Sequence, residues 1–268
     1  MCLSWFSRKK RSPLEVAVEE VTNANLALRN NDARTAATSY EKAAKAYGEI
    51  NQTSEQSKYL LEAARIYQSV DINEAVRVMS TAIDGFVIQG QLRRAATHAS
   101  NLAEICKDGG HFSQAMYWYE KAATWFEQEG STLLSNKSFI AYADIAALNG
   151  EPFRAAEIYQ KVAEKSLGTP SAGWTVKEYC ERAVLSMLIA KEFAQATQQR
   201  LKFCSWDRVF ESSPENAYLE RVIHAVAGNE LTQFENAMFQ WDQESRLSDW
   251  MVSASLIIKK QMSDEELL

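Results

Sequence analysis

The stretch that decides the fold runs from residue 75 to residue 130 and reads AVRVMSTAIDGFVIQG (75–90), QLRRAATHASNLAEICKDGG (91–110) and HFSQAMYWYEKAATWFEQEG (111–130). Each segment ends in a glycine, and the interval of twenty residues continues once more, giving Gly90, Gly110, Gly130 and Gly150. Glycine commonly ends a helix because it accepts the left-handed conformation that closes the last turn. About twenty residues accommodate one helix of about four turns and a short connection. The interval therefore predicts consecutive helices joined by tight turns.

A second pattern repeats at twice that period. An alanine is followed by a bulky residue four positions later, by a small residue seven positions later and, in three of four copies, by an aromatic residue eleven positions later. The copies begin at Ala36, Ala75, Ala115 and Ala155, which are 39, 40 and 40 residues apart. One helix in every pair thus carries the same stripe, which is typical of stacked helix hairpins. The sequence predicts an all-α, tetratricopeptide-like α-solenoid, an architecture that usually serves as a binding surface.

The pattern also predicts how the chain is organised. Ser12-Pro13-Leu14-Glu15 has the composition of a helix start, and the stripe fades after about residue 170. The predicted segments are an apolar and basic tip (1–12), a helical-hairpin solenoid (13–190), a C-terminal helical bundle that caps it (191–262) and an acidic Leu-Leu tail (263–268). The predicted helices are 13–30, 33–48, 54–68, 72–89, 92–107, 112–128, 132–148, 152–166, 174–190, 193–204, 213–226, 231–241 and 247–262.

Composition narrows the class of protein. The 268 residues carry a formal net charge of −6, and the first twelve residues contain four bases and no acid. An acidic body argues against a nucleic-acid partner, which requires a basic footprint. No apolar run reaches the eighteen or so residues of a spanning helix, and the N-terminus lacks a secretory signal. The 4 cysteines have no paired spacing, which favours a reducing cytoplasm.

Catalytic motifs are absent from the sequence. His98, His111 and His224 lie far apart, and there is no zinc motif, no phosphate-binding glycine loop and no nucleophile elbow. We therefore expect no enzymatic activity, no cofactor, no metal site and no small-molecule substrate. An enzyme with a solenoid body is the disfavoured alternative.

The N-terminal tip has the composition of an interfacial membrane contact, in which apolar side chains insert beside a basic collar. Its members are Leu3, Trp5, Phe6, Arg8, Lys9, Lys10 and Arg11. The alternatives are an unstructured terminus and a basic targeting signal. Cys2 is a candidate for palmitoylation, and an unmodified thiol is the alternative, since cysteine acylation has no tight motif.

Bases recur on or near the first helices of successive hairpins. They are Arg93, Arg94, Lys137, Lys177 and Arg182. If the first helices line a concave face, these bases suit an acidic helical partner that is attracted mainly by electrostatics. Scattered surface bases are the alternative interpretation.

An ordered set of short motifs resembles one known family. It comprises YEKAA (40–44), AEI (103–105), YEKA (119–122), SNK (135–137), AEIY (156–159), KEY (177–179) and the ending DW (249–250), IKK (258–260) and DEELL (264–268). No single motif is specific, but the collinear set from about residue 13 to the end resembles soluble NSF attachment proteins of the alpha-SNAP type. The resemblance implies a twisted sheet of helix hairpins with a C-terminal helical bundle.

The resemblance also implies a function. Members of this family are adaptors that bind the assembled, syntaxin-type SNARE four-helix bundle and recruit the hexameric AAA+ ATPase NSF, which disassembles it in vesicle fusion. Such an adaptor is cytoplasmic, is peripherally associated with membranes and catalyses nothing. The alignment places Leu3-Ser4-Trp5-Phe6 at the family's membrane-contacting loop, so that the family's first helix has no counterpart here.

Individual roles follow from matching positions. Lys137 and Lys177 match bases of the family's SNARE-facing surface, and Arg93, Arg94 and Arg182 are further candidates. The ending Asp264, Glu265, Glu266, Leu267 and Leu268 matches the segment that stimulates the ATPase. The chain departs from the family at Gln91, Thr97 and Ala141, where bases are common, and at 224–228, which lacks acidic residues; these departures indicate a divergent paralogue. A generic helical-repeat scaffold that is not coupled to NSF is the alternative function.

Overall fold

The glycines that predict the turns have the backbone conformation that glycine alone adopts without strain. In the computed structural model, φ is +70° at Gly90, +75° at Gly110, +69° at Gly130 and +98° at Gly150. Around the first of these, the Gly90 amide donates to the Val87 carbonyl at 3.0 Å and the Gln91 amide donates to the Phe86 carbonyl at 2.9 Å. This pair of bonds is the Schellman closure of a helix end. The predicted turns are therefore confirmed.

The structure describes residues 11–167 and 172–266, with the side chains of 172–175 and 265–266 left out. The described residues form fourteen helices and no strand. They are α1 (Pro13–Arg29), α2 (Ala33–Glu49), α3 (Thr53–Tyr67), α4 (Ile72–Ile88), α5 (Leu92–Asp108), α6 (Phe112–Gln128), α7 (Thr132–Leu148), α8 (Pro152–Ser166), α9 (Ala172–Ile189), α10 (Phe193–Trp206), α11 (Arg208–Glu211), α12 (Pro214–Ala227), α13 (Leu231–Ser245) and α14 (Asp249–Glu266). The predicted all-α solenoid class is confirmed.

Local sequence explains where several helices begin. Ser12 accepts a hydrogen bond from the Glu15 amide, and the Glu15 carboxylate accepts one from the Ser12 amide, which completes the predicted capping box. Ser213 caps α12 in the same way through the Asn216 amide at 3.3 Å. Proline follows the cap in both helices, where its missing N–H costs nothing.

The chain forms two compact units, which are described separately. The N-terminal unit comprises residues 1–135 and the C-terminal unit comprises residues 136–268. In the N-terminal unit, consecutive helices from α1 to α6 pack against one another in order. The stripe predicted from the sequence forms their core, since Ala36, Ala75 and Ala115 and the aromatics at plus eleven are all buried. Small alanines allow the helices to approach closely, and the aromatic rings fill the space between them.

The C-terminal unit is built around α9. This helix contacts α8, α10, α12 and α14. Its second half is buried on all sides from Ala183 to Ile189, as expected for a helix surrounded by other helices. Side-chain N–H donors join the unit over long sequence separations. The Trp250 indole N–H donates to the Asp144 carbonyl at 3.1 Å, and the Gln261 amide donates to the Ile189 carbonyl at 3.0 Å.

Most predicted boundaries agree with the structure within two residues, and three features differ by more. The four-residue helix α11 was not predicted, because one turn has no periodicity; its N-cap is Asp207, whose carboxylate accepts a hydrogen bond from the Val209 amide. Helix α13 ends at Ser245 rather than at residue 241, and α14 ends at Glu266 rather than at residue 262. Neither extension contains a glycine or a proline, so nothing local ends the helix earlier. The four predicted segments stay a prediction; the compact units divide within α7.

None of the helices in the part of the chain that the structure describes combines the length and the apolarity that crossing a bilayer requires.

Candidate interaction sites

Two of the bases predicted to bind a partner, Arg93 and Arg94, lie at the start of α5 in the N-terminal unit and are exposed. The Arg94 guanidinium lies 4.3 Å from the centre of the Phe86 ring and donates to the Gln91 side chain at 2.8 Å. Among the described residues, no ion pair is formed by Arg93. Both positive charges therefore reach solvent without a neutralising carboxylate. The Arg94 side chain is held by its contacts with Phe86 and Gln91.

In the C-terminal unit, Lys137 is likewise an exposed base without an ion pair in the described chain. It lies in α7, its side chain is exposed, and no carboxylate of the described chain lies within ion-pair distance. Its neighbours Ser135 and Ser138 are buried, so the helix presents Lys137 on its outer face. This is the geometry of a base that is available to a partner.

Lys177 is held more tightly. Its ammonium lies 3.3 Å from the Glu215 carboxylate, and the two side chains are only 22% and 15% exposed. Burial alone would raise the pKa of Glu215, but the backbone amide at the start of α12, the Ser213 hydroxyl and Lys177 together hold this pKa below its usual value. Lys177 therefore joins α9 to α12, and its positive charge is paired within the fold.

Arg182 is more enclosed still. Its side chain is 12% exposed and forms ion pairs with Asp144 of α7 and Glu178 of α9. The guanidinium also lies 5.5 Å from the centre of the Trp250 ring. Burial by itself would lower the pKa of Arg182, but the two carboxylates raise it above its ordinary value. The guanidinium thus connects three helices of the C-terminal unit, and the role predicted for it in partner binding stays a prediction.

The proposed ATPase-contacting end is partly described. Asp264 is exposed in the last turn of α14. Glu265 and Glu266 continue this helix, and their side chains lie outside the description. Leu267 and Leu268 lie outside the described residues altogether. One helix therefore extends from the buried Trp250 to the exposed acidic end.

The predicted membrane tip falls almost entirely outside the described residues. This applies to Cys2 and to the contact residues Leu3, Trp5, Phe6, Arg8, Lys9 and Lys10. Arg11 is described and forms an ion pair with Glu19 of α1. Both side chains of this pair are largely exposed, so it contributes little to stability.

Sequence reasoning missed Glu181, a carboxyl group inside the C-terminal unit. Glu181 is 7% exposed, lies in α9 and has no hydrogen-bond or ion-pair partner within the described chain. Burial, together with the nearby Glu215 and Glu178, raises its pKa to about 8. One signal was available, since Glu181 stands three and seven positions before Val184 and Leu188, on the apolar side of its helix.

No cluster of three potential metal ligands occurs among the described residues. His98 stacks on Phe86 at 5.3 Å, and burial and the nearby Arg94 lower its pKa. Burial raises the pKa of the Cys106 thiol to about 11, which keeps it protonated. What remains is a set of exposed bases, an acidic helix end and an internal charge network.

Comparison with known proteins gives the family. The family model described as "Soluble NSF attachment protein, SNAP" matches residues 1–263. A "Probable vesicular-fusion protein sec17 homolog" of Neurospora crassa is 31% identical over 96% of this chain and 89% of its own length. The "Alpha-soluble NSF attachment protein" of Saccharomyces cerevisiae is 30% identical over 86% of this chain and 80% of its own length.

A solved structure of TPR-like repeats, from a putative kinesin light chain of Podosopora anserina, covers 81% of this chain and 98% of its own. Its identity to this chain is 15% and its TM-score is 0.46. The family model spans nearly the whole chain, and two relatives reach 30% identity or more over most of it. This chain therefore belongs to the soluble NSF attachment protein family.

Proposed function

We propose that this chain is an adaptor that binds assembled SNARE complexes and recruits and stimulates the AAA+ ATPase NSF in vesicle fusion. The observation that carries the proposal is the family match over residues 1–263, together with relatives that are named as vesicular-fusion and NSF attachment proteins. The adaptor works in the cytoplasm at the membrane surface and has no catalytic activity of its own. The exposed bases Arg93, Arg94 and Lys137 support the SNARE-binding part, because a SNARE bundle with an acidic surface attracts such groups.

The SNARE-binding part is tested by reversing one exposed charge. Lys137→Glu should weaken co-precipitation with assembled SNARE complex several-fold at low salt, and the difference should shrink as salt screens the interaction. Lys45→Glu is the matched control, since Lys45 is also exposed but lies on α2, a second helix of its hairpin. Lys137 is preferred to Lys177, whose replacement by glutamate would place a carboxylate against Glu215. Equal binding by Lys137→Glu and the control at low salt would refute the basic-face model.

The ATPase-coupling part is tested at the C-terminal leucines. Replacing Leu267 and Leu268 with alanine should leave SNARE binding unchanged and abolish the stimulation of ATP hydrolysis by purified NSF. Ser263→Ala, in the last turns of the same helix, is the control for a general disturbance of α14. Full stimulation by the double alanine variant would exclude these leucines from the coupling.

The membrane part is tested at the N-terminal tip. Trp5→Ser with Phe6→Ser should slow SNARE disassembly on liposomes and leave the rate in detergent unchanged, because only the liposome assay contains the surface into which the rings insert. Equal losses on liposomes and in detergent would assign the two aromatics to folding instead.

Palmitoylation of the same segment is tested separately, by labelling for a thioester-linked lipid with Cys2→Ser as the control.

A further inference from the structure

A cavity of about 210 Å³ opens in the C-terminal unit beside the buried carboxyl of Glu181. Its apolar wall consists of Trp241 and Met251, which are 4% and 6% exposed. The Trp241 ring is held flat against Tyr218, with ring centres 4.7 Å apart. The rigid aromatic face and the small volume suit the end of one side chain, since drug-sized ligands occupy about 300–1,000 Å³.

Among the charged side chains that line this cavity, Glu181 and Arg246 form no ion pair within the described chain, and the others are paired. At its rim, Glu215 is bound by Lys177 and Glu178 is bound by Arg182. Glu181 also lines the cavity, is more than nine-tenths buried, and receives no hydrogen bond or ion pair from the described chain. Ionising a buried carboxyl group that has no partner is costly, and a cation that pairs with the ionised carboxylate offsets part of that cost.

We propose that this cavity binds one alkylammonium or guanidinium group, presented as a lysine or arginine side chain by a bound protein. The Glu181 carboxylate pairs with the cation, and the Trp241 face adds a cation–π contact. Lys177 and Arg246 line the same cavity. Their positive charges would repel the second ammonium group of a free polyamine, whereas a lysine or arginine side chain carries a single positive charge. The site is independent of the adaptor function proposed above.

Ionisation of Glu181 links this site to pH. The groups that face it are Lys177, Glu178, Cys180 and Arg182 on α9, Glu215 and Tyr218 on α12, and Arg246 in the connection before α14. Burial raises the pKa of Glu181 to about 8, so the carboxyl is protonated at pH 6 and ionised at pH 9. A cation binds the ionised form, so its affinity rises from pH 6 to pH 9 and then levels off.

The test uses n-butylammonium as the probe and ¹⁹F NMR of the full-length chain labelled with 5-fluorotryptophan. The Trp241 signal is assigned with Trp241→Phe and is expected to shift at millimolar probe, with affinity at least about tenfold higher at pH 9 than at pH 6. The neutral analogue 1-butanol should shift it much less. No Trp241 shift at pH 9, or an equal shift with 1-butanol, would overturn the site.

Two variants move the affinity in opposite directions. Glu181→Gln resembles the protonated side chain and should fold while losing both the binding and its pH dependence, whereas Glu157→Gln, an exposed carboxylate on α8, should keep both. Lys177→Met removes a rim cation, so the probe should bind more tightly. Unchanged binding in both Glu181→Gln and Lys177→Met would refute the assignment.

Two further probes distinguish a protein side chain from a free polyamine as the source of the cation. Nα-acetyl-lysine amide presents the side chain as a protein does, and spermidine is a free polyamine. The lysine derivative should bind at least several-fold more tightly than spermidine, because the rim bases oppose the second charge. Tighter binding of spermidine would overturn the protein source.

Discussion

The two compact units both consist of helices, but their interiors differ. In the N-terminal unit, charged side chains lie on the surface, as in the exposed pairs that Arg77 forms with Glu41 and Glu74. In the C-terminal unit, the Arg182 guanidinium is enclosed between carboxylates and an indole ring. A repeat of alanines and aromatics fills the first interior, and its polar contacts join neighbouring helices, as between Tyr40 and Asn25. The second interior also contains polar contacts between segments that are distant in the sequence. From this comparison we expect changes at charged positions to cost more stability in the C-terminal unit than in the N-terminal unit.

The largest expected effect is at Trp250. Trp250→Ala removes an indole that is 9% exposed, the hydrogen bond to the Asp144 carbonyl and the edge contact with the Tyr159 ring at 5.9 Å. We expect the C-terminal unit to lose about 3–5 kcal/mol of stability. Hydrogen exchange of the amides in residues 136–266 measures this loss directly.

Trp250→Phe is the control, because it keeps an aromatic ring and loses the indole N–H. It should cost much less than the alanine variant. Equal protection of the C-terminal amides in Trp250→Ala and in the parent chain would mean that this unit is not closed by long-range contacts.

The next largest effect separates the two kinds of charge. Arg182→Met removes the cation from the Asp144 carboxylate, which keeps only the hydrogen bond from the Tyr159 hydroxyl, and should cost about 2–3 kcal/mol, because Arg182 is buried and Asp144 is 32% exposed. Arg77→Met in the N-terminal unit breaks two pairs, but its side chain is 51% exposed and the cost should stay below about 1 kcal/mol. Denaturant unfolding of both variants gives the comparison.

Adding Asp144→Asn to Arg182→Met distinguishes charge from packing. The double variant should recover part of the loss, because the unpaired carboxylate is gone while the Tyr159 hydroxyl still has an acceptor 2.6 Å away. Equal losses of unfolding free energy in Arg77→Met and Arg182→Met would show that charged side chains contribute alike to the stability of the two units.

The smallest effect is expected to be the same in both units. Gly90→Ala and Gly150→Ala each place a β-carbon at a positive φ where no heavy atom lies within 4 Å, so only the conformational cost of about 1 kcal/mol remains. Thermal unfolding measures it. Gly90→Asn should cost less, because asparagine already occupies this conformation at Asn31 and Asn51. A cost for Gly150→Ala well above that for Gly90→Ala would show that the turns of the two units also differ.

Much of the fold could be predicted because its signals are local. The capping box at Ser12, the glycine turns and the buried stripe that starts at Ala36 each depend on residues within one helix or one turn. The one-turn helix α11 and the ends of α13 and α14 were missed, because a single turn has no period and charged residues without glycine or proline do not mark an end.

The candidate sites could be predicted only as residue types on particular helices. Lys137 and Lys177 look alike in the sequence, yet one is exposed and the other is bound to Glu215. Arg182 has one carboxylate partner 38 residues away, and Glu181 has none. Such differences depend on which helices meet, and the spacing of residues along the chain does not contain that information.

By itself, the sequence determined thirteen of the fourteen described helices, most of their ends and the stripe that recurs in alternate helices, because hydrogen bonding and side-chain periodicity act within about twenty residues. Only the tertiary structure decided which bases remain available and which are neutralised. It also decided that Trp250 contacts a carbonyl 106 positions away and that Glu181 is buried beside a cavity. The physical reason is that desolvation and charge pairing depend on distance in space, which the packing of α7, α9, α12 and α14 sets.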